Sequence, residues 1–195
     1  MIAMEADVDA PGASRRTTMR AIVHERYGRP NLLKLREVEV PVLADDQVLV
    51  RVHAASVNPV EWYGVTGPYF ARIGNGLRRP KDPSVGGDLA GLVEAVGKDV
   101  EGFGVGDEVF GTSGAAWAEF APARPARLAH KPASVSFEQA AAVPVAGLTA
   151  LQGLRDHGKI QSGQRVLING ASGGVGTFAV QLAKSFGADV TAVCS

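Results

Sequence analysis

The sequence holds a single cysteine, Cys194. No disulfide framework can form within the chain, and a zinc site built on several thiolates is excluded. The four histidines, His24, His53, His130 and His157, are scattered without metal-ligand spacing. This usage fits a reducing compartment, most simply the cytoplasm, with Cys194 packed as a small apolar residue in a buried strand. An excess of charge of one sign is also lacking. Twenty basic residues offset 20 acidic ones, so nothing draws the chain to nucleic acid or an acidic membrane surface. No apolar run approaches the roughly 18 residues that span a bilayer. Residues 1–18 carry acids near the start and no apolar core, unlike a signal peptide. They read as a disordered tail, or as the product of an upstream start codon preceding a true start at Met19.

What is present is the balance of a folded protein, 46% apolar and 21% charged. From Met19 to about Pro132 the signals are those of strands and turns. MRAIVH begins a first strand. LLKLREVEV follows, with Leu33, Leu35, Val38 and Val40 as its apolar positions. Residues 47–57 alternate, with Val48, Val50 and Val52 on one face. Asn58-Pro59 opens a short helix, Asn as N-cap and Pro in the first turn. Gly and Pro throughout residues 64–83 predict a long loop, whose Arg78, Arg79 and Lys81 form a solvated basic cluster. Short strands and Gly-rich turns then run to His130, the pattern of a small, partly closed barrel.

The character changes after Pro132. Ser136 and Gln139 form a capping box, and residues 139–157 are helical with a break at Pro144. Arg165 to Asn169 is a compact strand. Residues 174–186 follow as a helix with Val175, Phe178, Ala179, Leu182, Ala183 and Phe186 on one face, and Gly187 ends it. Residues 189–194 form a second strand, which the crossover makes parallel to the first.

Between strand and helix lies NGASGGVG. Ala171, Gly173 and Gly176 take the spacing of G-x-G-x-x-G, with Ala in place of the first Gly. The first position permits a tight turn, the second lets backbone approach a pyrophosphate, and the third lets helix and strand pack closely. The helix N-terminus offers N–H groups and a positive dipole end to the phosphates. Ser172, Gly174 and Val175 complete this dinucleotide-binding turn. The end of the second strand, where NAD enzymes carry an acid for the ribose 2′-hydroxyl, is Cys194-Ser195. A carboxylate there would repel a 2′-phosphate. Its absence favours NADPH over NADH, with Ser195 as a hydrogen-bond donor.

Taken in order, VRVHAASVNPVEW, GGDLAG, GFGVGDEVFG, AAAVPVAGLTAL and VLINGASGGVG resemble the medium-chain dehydrogenase/reductase superfamily, and within it the zinc-independent quinone oxidoreductase (zeta-crystallin-like) branch. The resemblance covers residues 19–195. It implies an α+β GroES-like β-barrel domain over 19–132, then the first part (β-α-β) of an α/β Rossmann domain over 133–195, with the active site in the cleft between them. Where zinc-dependent relatives carry ligands, this chain has Asn58, the run Gly86-Gly87-Asp88, and Val145. Zinc would polarise an alcohol or carbonyl oxygen as a Lewis acid. Without it, the implied chemistry is hydride delivery to an activated acceptor, a quinone or an α,β-unsaturated carbonyl (an enone).

Such a site supplies position and a donor for the developing oxyanion. The resemblance implies Asn58 and Tyr63 for this role and puts Thr149 near the nicotinamide. Each has a plainer alternative: Asn58 as a helix cap, Tyr63 and Trp62 as packing aromatics, Thr149 bonded to its own helix. A doubly wound sheet has about six strands and this sequence supplies two, so it is expected to be part of a longer reductase and inactive alone. A homodimer is expected only of the longer chain. The rival expectation is a non-catalytic GroES-like binding protein with a vestigial nucleotide turn.

Overall fold

The computed structural model describes residues 2–3 and 17–194. The expected tail over 1–18 lies almost wholly outside the described residues, as does Ser195. The chain divides into two compact units, Met1–Ala142 and Val143–Ser195.

The first unit contains β1 (Ile2–Ala3), β2 (Thr18–Val23), β3 (Lys34–Glu39), β4 (Val48–Ala55), α1 (Pro59–Thr66), α2 (Tyr69–Asn75), β5 (Asp88–Val96), β6 (Glu108–Thr112), β7 (Phe120–Ala123), β8 (Leu128–His130) and α3 (Phe137–Ala141). Six strands form one sheet in the order β1-β4-β5-β6-β8, with β7 also on β4. Every pairing in it is antiparallel. β2 and β3 form a separate antiparallel pair, and single bridges from Ala21 to Ala118 and Val23 to Ser84 tie β2 to the rest.

The alternation expected of β4 sets the core. Val48, Val50 and Val52 are buried and pack with Leu89, Val93, Val109 and Trp117. Each fully buried valine contributes roughly 1.5–3 kcal/mol. Met19, Ala21 and Val23 alternate likewise along β2 and bury against Ala118. β3 is more exposed than its sequence predicts. Leu33 reaches the main core, and Val38 and Val40 pack on the β2 cluster. Leu35, paired with Ile22, is 63% exposed.

The expected loop over 64–83 contains a helix, α2. Gly67 (φ +60°) stops α1, and its N–H donates to Tyr63 O at 2.9 Å. Pro68 then caps α2, and Gly76 (φ +109°) ends it. Gly and Pro here punctuate two short helices. The basic cluster behaves as expected, with Arg78, Arg79 and Lys81 exposed. The capping box before α3 is present: Gln139 N donates to Ser136 Oγ at 3.2 Å, and Ser136 N to Gln139 Oε1 at 2.9 Å. Ala140 and Ala141 of α3 bury against Ala54 and Ala90, which places α3 with the first unit.

The second unit runs α4 (Pro144–Leu151), a π-helical turn (Gln152–His157), β9 (Arg165–Asn169), α5 (Gly174–Ser185) and β10 (Asp189–Val193). β9 and β10 pair in parallel, from Arg165 opposite Asp189 to Asn169 opposite Val193. Gly187 (φ +79°) closes α5 as expected.

The packed stripe of α5 differs from the expected one. Gly176 and Ala183 are buried, and Ala179 and Val180 pack with Ile168, Ala171 and Ala188. Val175 is exposed, whereas Phe178 lies beside Gly147 of α4. The helix thus meets the strands along 176, 179, 180 and 183 and α4 through its neighbouring face. On the opposite side of the strands Leu167 is 68% and Val193 45% exposed. Val190 of the same strand packs into the α5 cluster. Cys194 lies just past β10 and is exposed, contrary to the buried position expected of it. Among the described residues no helix is long and apolar enough to cross a membrane.

Candidate functional site

Two groups of sequence-predicted residues sit in separate units, and each is built by its own segment. In the first unit β4 delivers the chain to Ser56, Val57 and Asn58, and α1 begins immediately after. Asn58 caps α1 in extended conformation, with Pro59 in the first turn. Glu61 is buried inside that turn. Its Oε2 accepts from Asn58 N at 2.6 Å, and its Oε1 accepts from Gly87 N at 3.0 Å. One carboxylate therefore ties the helix start to the strand end that carries Asp88.

Asp88, the first residue of β5, is 0% exposed. Its Oδ2 accepts from Ser56 Oγ at 2.8 Å and from Asn58 Nδ2 at 3.0 Å. Asn58 Nδ2 also donates to Ser56 Oγ at 2.9 Å. A buried carboxylate needs such partners to offset its lost hydration. Trp117 Nε1 donates to Ser56 O at 2.9 Å and so braces the same segment.

Beside this network lies a cavity of about 610 Å³. Ile22, Leu33, Val57, Asn58, Trp62 and Trp117 contribute to its largely apolar wall. Tyr63 is not among its lining residues. It comes five positions after Asn58, about 140° around the helix. The residue is 51% exposed, and its ring centroid lies 6.2 Å from that of Phe70 of α2. The structure thus puts Asn58 in the cavity wall and Tyr63 on another face of α1. Sequence reasoning passed over Ser56, Glu61 and Trp117. The Glu three residues after the Asn N-cap was the readable signal for Glu61.

His53, on the same strand as Ser56's approach, stacks on Phe137 with centroids 4.6 Å apart. Burial holds its pKa below the usual histidine value, and the nearby Arg51 charge adds to this.

In the second unit the glycine turn follows β9. Gly170 takes φ +72°, the tight-turn conformation that suits glycine. The motif spacing puts its tight-turn position at Ala171, with Gly170 beside it as added freedom. Instead Ala171 is buried, and its N–H donates to Val193 O at 3.0 Å, fastening the turn to β10. Gly173 is the N-cap of α5, and its N–H returns to Gly170 O at 3.0 Å. At Gly176 a Cβ would stand 2.1 Å from Gly170 O, so this position admits no side chain. Ser172, Gly173, Gly174 and Val175 are exposed, and a Cβ on Gly174 would meet nothing. Backbone at the start of α5 is thus open to a ligand, and the first turn of a helix has N–H groups without intrahelical partners. Thr149 Oγ1 donates to Val145 O at 2.6 Å, the backbone bond named as its alternative role.

The family model described as the alcohol dehydrogenase GroES-like domain matches residues 44–152. Human quinone oxidoreductase is 39% identical over 179 residues, which cover 90% of this chain and 52% of that protein. The quinone oxidoreductase structure from Coxiella burnetii superposes with a TM-score of 0.82 at 38% identity, covering 91% of this chain and 57% of that one. The Escherichia coli quinone oxidoreductase complexed with NADPH gives 0.77 at 31% identity, covering 89% and 52%. The chain spans about half the length of the curated relatives it matches.

Proposed function

The chain belongs to the family of the alcohol dehydrogenase GroES-like domain, and from that premise we propose that it serves an NADPH-dependent reductase, passing hydride to a quinone or an α,β-unsaturated carbonyl without zinc. The observation that carries the reading is 39% identity to human quinone oxidoreductase across 90% of this chain.

The dinucleotide fits the turn after β9. The contact between Gly176 and Gly170 O keeps α5 close to the strand, and the exposed backbone of Gly173, Gly174 and Val175 is left for the pyrophosphate. Ser172 borders that opening, and Ala171 fixes its floor through Val193. The lack of an acid at residues 194–195 suits the 2′-phosphate of NADPH better than the free ribose of NADH. When bound, the cofactor supplies the hydride.

This chain's residues then position the acceptor and answer the charge that develops on its oxygen. Tyr63 offers a half-exposed hydroxyl as donor. Asn58 and the apolar cavity wall shape the approach. Of the three positions where the resemblance puts zinc ligands, Val145 cannot ligate, and Asn58 and Asp88 hold each other. The reading places the reaction in the cytoplasm, and a homodimer in a chain of the relatives' full length. Two parallel strands hold only part of a dinucleotide site, so the 195 residues alone are expected not to turn over.

The test is NADPH oxidation driven by phenanthrenequinone, with the protein purified from its own cells and a strong chelator present. Chelator-insensitive oxidation is the expected result. No oxidation with quinones or enones would contradict the reading.

A further inference from the structure

The resemblance implies Asn58 as a hydrogen-bond donor to the substrate oxygen, but its amide nitrogen is already engaged. An amide nitrogen donates, whereas the amide oxygen only accepts. Asn58 Nδ2 lies 2.9 Å from Ser56 Oγ and 3.0 Å from Asp88 Oδ2, two acceptors close enough together to share its hydrogens. Ser56 in turn donates its own hydroxyl hydrogen to Asp88 Oδ2 at 2.8 Å. The three bonds form a closed triangle in which every donor has a named acceptor.

The triangle also fixes which way the amide points. Asp88 is fully buried, and its carboxylate only accepts. With the amide turned over, Asn58 Oδ1 would face Asp88 Oδ2 and Ser56 Oγ, whose hydrogen is already given away. Two oxygens would meet without a hydrogen between them. Charge-assisted bonds to a buried carboxylate are the stronger kind, so the reversed rotamer is strongly disfavoured.

We propose that Asp88, with Ser56, is a positioning residue that holds the Asn58 amide nitrogen on the buried carboxylate, and so keeps the amide from turning over toward a ligand in the adjacent cavity. The consequence for catalysis, that the nitrogen a developing oxyanion would call on is already engaged, rests on the reductase reading, whereas the orientation of the amide does not.

The orientation is read by hydrogen exchange at the Asn58 side-chain amide, measured by NMR on the isotope-labelled chain. The signal is assigned by its loss in Asn58→Asp. In the wild-type chain the Asn58 hydrogens should exchange with water about 10- to 100-fold more slowly than those of the exposed Asn31. Asp88→Asn should bring the rate back toward that of Asn31, because an amide there can accept from the Asn58 nitrogen or donate to the Asn58 oxygen and so satisfies either rotamer. Should that variant not fold, Ser56→Ala decides. It keeps the carboxylate, removes one acceptor and should speed exchange about tenfold. Exchange at Asn58 as fast as at Asn31 in the wild type would overturn the proposal. So would unchanged protection in both variants. Neither measurement needs reductase activity, so failure here is distinct from failure of the functional reading.

Discussion

The carbonyl oxygen of Gly170 occupies the place where a side chain on residue 176 would begin, 2.1 Å from an ideal Cβ. This single approach brings α5 against β9 and leaves the helix start facing outward. Gly176→Ala must push the helix away or strain the turn. It should cost about 1–3 kcal/mol, the usual price of overpacking. It should also weaken NADPH binding more than Gly174→Ala, where a Cβ meets nothing. Urea unfolding and a binding titration of both variants check the pair.

Glu61 links two segments through one carboxylate, accepting from Asn58 N and Gly87 N. Glu61→Ala leaves both N–H groups without that partner and should lower stability by roughly 2–3 kcal/mol. Glu61→Gln keeps one accepting oxygen and should fall between. The urea midpoints of the three proteins give the order directly.

Burial, with the Arg51 charge adding to the effect, holds the folded pKa of His53 below its unfolded value. The unfolded chain therefore binds the proton first as pH falls. The stability contribution is complete above the unfolded pKa of about 6.5 and is lost as pH falls from there through the folded value. His53→Phe keeps a ring to stack on Phe137 and removes the titration. Its stability should fall less between neutral pH and mildly acidic pH than that of the wild type, as thermal melts across that range will report.

Cys194 is exposed at the end of β10. A thiol reagent should label it in the native chain about as fast as in urea. Labelling that waits for unfolding would place it in a buried strand, as its sequence context suggested.

Much of this was legible beforehand. The valines of β4, the Asn-Pro start of α1, the capping box before α3 and the parallel β9-α5-β10 unit all follow from local patterning, which the packing agrees with. The misreadings have a common origin. α2 was hidden because Gly67, Pro68 and Gly76 punctuate helices as readily as loops. The stripe on α5 was read from apolar residues, but Gly176 is what approaches the strand, and glycine carries no hydrophobic signal. The resemblance named Asn58 as a donor, and a sequence gives the group without its partners. Asp88, 30 residues away, accepts from its amide nitrogen. Such pairings arise only when β4 and β5 are set side by side.

The central claim, direct hydride transfer from NADPH to a conjugated acceptor, is tested most directly by an isotope label. The protein from its own cells is given NADPH deuterated at the transferring position, together with cyclohexenone, whose β-carbon retains what it receives. The account predicts saturated ketone carrying deuterium at that carbon, with chelator present. Unlabelled product, or no reduction of either this enone or a quinone, would contradict it.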